Sequence, residues 1–338
     1  MKNRILYNTI IFAAITSQSY AQTSREDAIK RMTDSLTAVA LSEYAIRYPQ
    51  LRQGFITTDV IGNSTVKGEL NGNGLYQGKT SITRVRSNFS IPISHWGKNL
   101  ITGTISYQQE RFRTNEIRSF DPQFPSIDQK LTKTTVGFTA TYSRSDSIFN
   151  KVIIYSGGIS GVTDEFSSIK RVNYLGTVSV PLSRTQYSSL TVGLVVIIDP
   201  SAVAPVVPII SYWRKYKESE LELFLDLPSR IVLRKQLSKR SWTSFGSELG
   251  NSLLFFKFDQ PQIPQNSIYT SIEVRTGATF EYLLTRKLIF GVNGGVLTTA
   301  SPKMFDQNDK PADYFYKSKN STAPFMSFSL SFLPFLKL

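Results

Sequence analysis

With a single histidine and no cysteine, the chain has little equipment for acid–base or nucleophilic chemistry. A hydrolase usually sets a histidine as general base beside a serine or a carboxylate. His95 is the one candidate, and Ser94 adjoins it. It sits in the short stretch His95-Trp96-Gly97-Lys98, where no regular element would aim it. An amphipathic His-Trp pair at a membrane boundary accounts for it better. Glu220 and Glu222 would share one face of a strand, and paired carboxylates can divide acid and base roles. They read more simply as interior charges answering Arg84, Arg86, Arg234 and Arg275. Asn71-Gly72-Asn73-Gly74 is followed by no helix, so it is a loop and no phosphate cradle. The missing cysteines remove a lipidated N-terminus, disulfides and Cys-zinc sites. No enzyme, metal or cofactor is implied.

The elements that carry the remaining polar residues are mostly strands. Leu221, Leu223, Leu225 and Leu227 alternate with Glu222, Phe224 and Asp226. Val136, Phe138, Ala140 and Tyr142 alternate with Gly137, Thr139 and Thr141. Successive side chains of a strand point to opposite faces, so such segments have one greasy and one more polar side. Segments of this type recur about fourteen times from Arg52 onward, with twelve as the lower reading. Their connections alternate. Arg184-Thr185-Gln186, Lys239-Arg240 and Thr285 are short, whereas 62–78, 113–132, 257–266 and 299–323 are read as long loops. Pro228-Ser229 is tight where a long loop is due. Short turns at one end and long loops at the other are the habit of an outer-membrane barrel. Tyr142, Tyr212, Tyr282 and Phe332 fall where its turn-side aromatic girdle belongs. The segment Met326 to Phe332, with Phe335 near the end, fits a closing strand.

The fold expected is therefore all-β: a transmembrane antiparallel up-and-down barrel over 52–338, with a short N-terminal helix. Residues 1–21 read as a signal peptide, with Lys2 and Arg4 ahead of an apolar run and Ser19-Tyr20-Ala21 at the cut. Residues 22–51 form a helical segment, capped at Ser24 and ended by Pro49, that rests at the rim or plugs the lumen. The net charge of +14 is scattered through alternating segments, without the basic helix that nucleic-acid binding favours.

The inward face of each strand places Arg84, Arg86, Glu110, Glu222, Asp226, Arg234, Glu248, Glu273 and Arg275 in the lumen. Both signs are present, so weak ion selectivity is expected. Arginine at Leu223 should meet lipid and be costly, whereas arginine at Phe224 should be tolerated better. The aromatic loop stretches Phe120 to Pro125 and Met304 to Tyr316 suit either a ligand contact or a folded-over mouth.

Taken whole, the mature chain resembles an uncharacterised family of Bacteroidetes outer-membrane β-barrel proteins. The resemblance rests on Arg47-Tyr48-Pro49, the run Ser167 to Tyr174, the stretch Pro205 to Trp213, and Leu227-Pro228-Ser229-Arg230. It implies the cell outer membrane of a Gram-negative bacterium. The expected partners are outer-membrane lipid and lipopolysaccharide and the barrel-insertion machinery, with no nucleic acid. Two functions stay open: a passive channel or transporter for small solutes, or a structural or surface-interaction barrel with a closed lumen.

Overall fold

The structure, a computed structural model, describes residues 41–122, 124–148, 151–165, 167–199, 205–261 and 263–334. The expected signal peptide, the first part of the expected helix and Phe335 lie outside these residues. Residues 41–47 are helical, and a 3-10 turn, Pro49–Leu51, follows. This part, through Arg52 and together with Leu333 and Pro334, is one unit, and Gln53–Phe332 is the other. Among the described residues no helix is long and apolar enough to cross a membrane.

The larger unit is built of strands. They are β1 (Gly54–Leu70), β2 (Asn73–Trp96), β3 (Asn99–Ser119), β4 (Gln129–Ile148), β5 (Lys151–Thr163), β6 (Arg171–Arg184), β7 (Ser188–Ile198) and β8 (Val206–Lys215). There follow β9 (Leu221–Leu227), β10 (Arg230–Ser238), β11 (Ser241–Lys257), β12 (Asn266–Thr285), β13 (Leu288–Asp306), β14 (Tyr316–Asn320) and β15 (Ala323–Phe332). From β1 to β13 consecutive strands pair antiparallel, and β14 and β15 each pair with both β13 and β1. The ring is thereby closed, although β11 beyond Glu248 pairs only with β12 and β4 before Val136 only with β3. β14 and β15 both lie between β13 and β1, interrupted only at Ser321 and Thr322, so they act as one stave. The ring therefore has the fourteen staves that the alternating segments predict.

Three expected loops are shorter than the sequence suggests. β1 and β2 continue to a two-residue turn at Asn71-Gly72, with φ of 48° and 85°. Two positive φ angles match the type I′ turn that follows the natural twist of a hairpin. Likewise β3 and β4 reach into 113–132, and β13 and β14 into 299–323. The reason is solvent. Beyond the lipid level both faces of a strand carry polar groups, so the apolar alternation fades while the backbone pairing runs on.

The outer face is apolar. Ile56, Val60, Ile105, Phe138, Val178, Leu194, Ile210, Ile231, Leu233, Val296, Met326 and Phe328 are all large, outward and exposed. No water-soluble surface gathers so many, and a belt of this kind is what a lipid-facing barrel wall presents. At the turn end the Trp96 and Tyr142 rings meet at a tilt of 34°, centroids 6.3 Å apart, and the Tyr142 hydroxyl donates to Asn99 Oδ1 at 2.7 Å. Leu223 and Leu225 pair with outward Leu233 and Ile231, so they join the belt.

The inward face is mixed. Phe224 is only 1% exposed, with the Arg230 guanidinium 5.0 Å from its ring centroid. The expectation that arginine would be tolerated there is corrected, because that stretch of interior is packed. Elsewhere the interior is open. Leu175 shares the inward face with Gly158 and Thr141, yet is 43% exposed.

Leu175 and Val178 thus form a facing test, since both are apolar and exposed. Arginine at Val178 should destabilise the barrel in a bilayer by about 2–4 kcal/mol if it lies near the midplane. Arginine at Leu175 should cost less than about 1 kcal/mol, as for a solvated site. Equilibrium unfolding from lipid vesicles in urea measures both, and equal costs would sink the assignment of faces.

Candidate functional site

The interior of the ring holds a buried ionic network. Arg84 and Arg86, two residues apart on β2, point inward together, as the strand period requires. In the pairing register Asp59 of β1 stands opposite Arg84, and Arg84 opposite Glu110 of β3. Those three side chains form one cross-strand row. The fourth member comes from elsewhere: Glu273 of β12, a strand that is no neighbour of β2, reaches Arg84 across the lumen. Arg84 Nη1 donates to Glu273 Oε2 at 2.7 Å, and Nη2 to Oε1 at 2.6 Å. Its Nε lies 3.0 Å from Glu110 Oε1. Arg86 and Arg275 each place Nη2 3.0 Å from Asp59 Oδ2. Ser327 donates to Asp59 at 2.7 Å, Ser252 to Glu110 at 2.6 Å, and Gln108 to Glu110 at 2.5 Å. Asp59, Arg84 and Glu110 are each 1% exposed. Three guanidinium groups meet three carboxylates, so the network has no net charge.

An apolar layer lies on the loop side of this network. Ile61, Leu297, Ala323 and Phe325 pack together with Ile82 against them. Further out, the hydroxyls of Tyr76 and Tyr316 are 3.2 Å apart, and Phe124 from the β3–β4 loop stacks on Tyr76 at 4.9 Å. That aromatic loop therefore packs on β2, the strand beside its own hairpin. Together these layers fill the lumen between β1–β3 and β12–β15.

Across the ring β4 and β11 touch. Thr135 Oγ1 donates to the Leu253 carbonyl at 3.0 Å, and Gln108 Nε2 to Ser252 Oγ at 3.2 Å. This contact parts the filled side from a second lobe bounded by β4–β11. One wall of that lobe is charged: Asp226 accepts from Arg230 Nε at 2.6 Å, and Glu222 lies 3.6 Å from Arg234. Arg234 also sits 5.0 Å from the Trp242 ring. Glu248, paired in register with Arg230 and Arg275, is exposed. The other wall, on β4–β7, keeps its charge at the loop end, where Arg171 pairs with Asp199 at 2.5 Å and the Lys133 ammonium lies 4.4 Å from the Phe256 ring. Thr139 bonds Ser160 at 3.1 Å and Ser156 bonds Thr177 at 2.6 Å, while inward Val152, Ile154 and Leu175 are 49%, 41% and 43% exposed.

A strap covers part of the loop end. Between β5 and β6, residues 164, 165 and 167–170 reach the far strands: Glu165 pairs with Lys257, and the Lys170 carbonyl accepts from Gln307 Nε2 at 2.7 Å. Val162 packs on Phe255, Ile268 and Phe305 beneath. The Lys257 ammonium holds the Glu165 carboxyl below the usual glutamate range, and Glu165 raises Lys257 in return.

All nine charged residues named from the sequence therefore face the interior, but not as a common pore wall. Arg84, Arg86, Glu110, Glu273 and Arg275 belong to the network, and Glu222, Asp226 and Arg234 are paired on the β8–β10 side. Glu248 alone of the nine is exposed. Glu220 stands in the turn before β9 with φ of 54°, apart from Glu222 on the strand. His95 is exposed at the turn end of β2. Asp59, Gln108, Ser252 and Ser327 were not legible as network members. Asp59 had a signal, being inward by the same parity as Ile61, but small hydroxyl residues are too common here to single out Ser252 and Ser327.

No protein-family model matches the chain, and comparison with curated proteins finds no match. Solved structures similar to it include an outer membrane channel from Pseudomonas putida F1, 10% identical, TM-score 0.33, covering 83% of this chain and 96% of that one. A mutant of the TodX monoaromatic hydrocarbon channel is 9% identical with TM-score 0.31, covering 84% and 90%. The transport unit of the autotransporter AIDA-I from Escherichia coli is 10% identical with TM-score 0.29, covering 83% and 90%. Superpositions this loose carry no argument; the fold rests on the strand pairing itself.

The network makes a prediction about stability. Replacing Arg84 by Ala strands two buried carboxylates and should cost about 3–5 kcal/mol in unfolding free energy. Replacing exposed Glu248 by Ala should change it by no more than about 0.5 kcal/mol. Denaturant titration of the refolded barrel gives both values, and a near-neutral Arg84→Ala would contradict the burial of the network.

Proposed function

We propose that this chain is a channel of the Gram-negative outer membrane that passes small uncharged solutes through its β4–β11 lobe. The observation that carries the reading is the division of the lumen. The strongest charges neutralise one another on the filled side, while below the Arg171–Asp199 pair a wall of hydroxyl and aliphatic side chains on β4–β7 faces open space. An ion entering such a lobe meets little to replace its hydration on that wall, whereas a neutral solute loses little by entering. A uniform field able to steer one ion type is absent, because the interior charges are matched in sign. The outer location draws on the apolar belt, the closed ring and the signal-like first residues. A catalytic role has no support from His95, which stands exposed at the turn end without an aimed partner.

The filled side and the strap also favour a second reading, a closed barrel with a structural role. Solute entry separates the two. Proteoliposome swelling should be faster with neutral sugars or glycerol than with charged solutes of equal size. Swelling no faster than in empty liposomes would favour the closed barrel.

The strap supplies a finer test. Lys257→Ala removes the partner that ties Glu165 to β11 and should raise the open fraction in single-channel recordings at neutral pH. Because Glu165 titrates below its ordinary value, acid should act in the same sense only late. The contact is present above that lowered pKa and is lost as pH falls through it. Wild-type conductance should thus stay unchanged down to about pH 4.3, the usual glutamate value, and rise only below. A rise beginning near pH 6 would show that some other group works the strap.

A further inference from the structure

The outward face at the loop end is as basic as the belt beneath it is apolar. Past Val60, the outward positions of β1 turn to Thr65, Lys67 and Glu69. Past Ile105, β3 carries Arg113, and past Phe138, β4 carries Lys130. On β13 and β14 the corresponding positions are Lys303, Lys317 and Lys319. These six share the face opposite to inward Met304, Tyr316 and Gly68, and they follow the belt round neighbouring strands.

Their register is unusual. Lys67 stands directly opposite Lys319, Lys303 opposite Lys317, and Arg113 opposite Lys130. Like charges directly opposite on one sheet face destabilise it. Nowhere else in the described pairings do two like charges face each other. Glu69 is the one carboxylate near the first four, 2.9 Å from Lys317 and 4.0 Å from Lys319. Among the described residues, Lys67, Lys303, Arg113 and Lys130 have no ion-pair partner. Inside the ring the same fold matches every network cation with a carboxylate, so the imbalance outside is local to this zone.

We infer that these cross-strand basic pairs bind lipid-borne phosphate, the phosphorylated glycolipid headgroups of the loop-side leaflet. The inference rests on the reading that the belt lies in a membrane. Position decides the source of the phosphate. A group set immediately beyond an apolar belt, on the outward face, meets the headgroups of the lipids whose chains cover that belt. Phosphate between two cations removes their repulsion and gains charge-assisted hydrogen bonds. The Lys303 ammonium, 4.5 Å from the Tyr314 ring, is further held in place by that contact.

The test uses full-length protein refolded into nanodiscs of phosphatidylcholine containing either bisphosphorylated lipid A or the same glycolipid stripped of phosphate. Native mass spectrometry counts the glycolipid retained on extraction. The wild type should retain the phosphorylated form and not the stripped one. Lys67→Gln with Lys319→Gln, and Arg113→Gln with Lys130→Gln, should each weaken retention about tenfold or more, as for two charges near an anionic surface. Charge-preserving Lys67→Arg with Lys319→Arg should keep it. Thermal unfolding adds an independent sign: in neutral detergent the glutamine pairs should be as stable as the wild type or more so, and lipid A should protect only the wild type. Equal retention of both glycolipids, undiminished retention by the glutamine pairs, or displacement by millimolar inorganic phosphate would each overturn the inference. A wild-type chain that fails to enter bilayers at all would instead overturn the membrane reading, and this inference with it.

Discussion

Everything in this molecule depends on the pairing of β15 with both β1 and β13. In hydrocarbon an unpaired backbone amide costs several kcal/mol, so a sheet can cross lipid only when its two edges meet. Once β1 and β13 are bridged, every strand has a partner on both sides along the belt, and the outward face is free to be apolar without exposing backbone. The large outward side chains from Ile56 to Phe328 follow from that closure. In an open sheet the same residues would be an aggregation surface.

Closure creates the opposite problem inside. A ring of this many strands has more room than side chains of ordinary size fill. The chain meets it in two ways. Between β1–β3 and β12–β15 it spends long polar side chains, and Arg84 reaches Glu273 from a strand that is no neighbour. Burying such groups is tolerable only when each has partners, because the desolvation of one isolated charge exceeds what a single contact returns. Hence the network brings serine and glutamine donors as well as matched charges. On β4–β7 the interior is left unfilled, with small hydroxyl residues and exposed aliphatics. The contact of β4 with β11 keeps the two solutions apart.

How much of this the sequence discloses varies with what each feature depends on. Strand number and facing depend on local alternation, so Leu223 and Leu225 could be assigned outward and Glu222 and Asp226 inward without a structure. The segment 62–78 misled because Ser64, Thr65 and Lys67 lose the apolar period once the strand leaves lipid, although Asn71-Gly72 still marks the turn. The burial of Phe224 was invisible because alternation tells which face a residue takes, not whether that face is wet. The Arg84–Glu273 contact was beyond reach for a related reason. Register relates neighbouring strands, whereas this pair depends on how the ring narrows across its lumen.

The net charge of +14 gains a physical meaning from these placements. A barrel needs no excess charge to fold, and its interior network shows none. Inside, a cation without a carboxylate would face low dielectric and no mobile counter-ion, so the count must balance within the chain. Outside, beyond the belt, a cation has water and headgroups to answer it, so the count can be balanced by another molecule. Lys67 opposite Lys319 is tolerable there and would not be opposite Asp59 in the core of the ring. The same residue type is thus held to two different rules, and the boundary between them is the upper edge of the apolar belt.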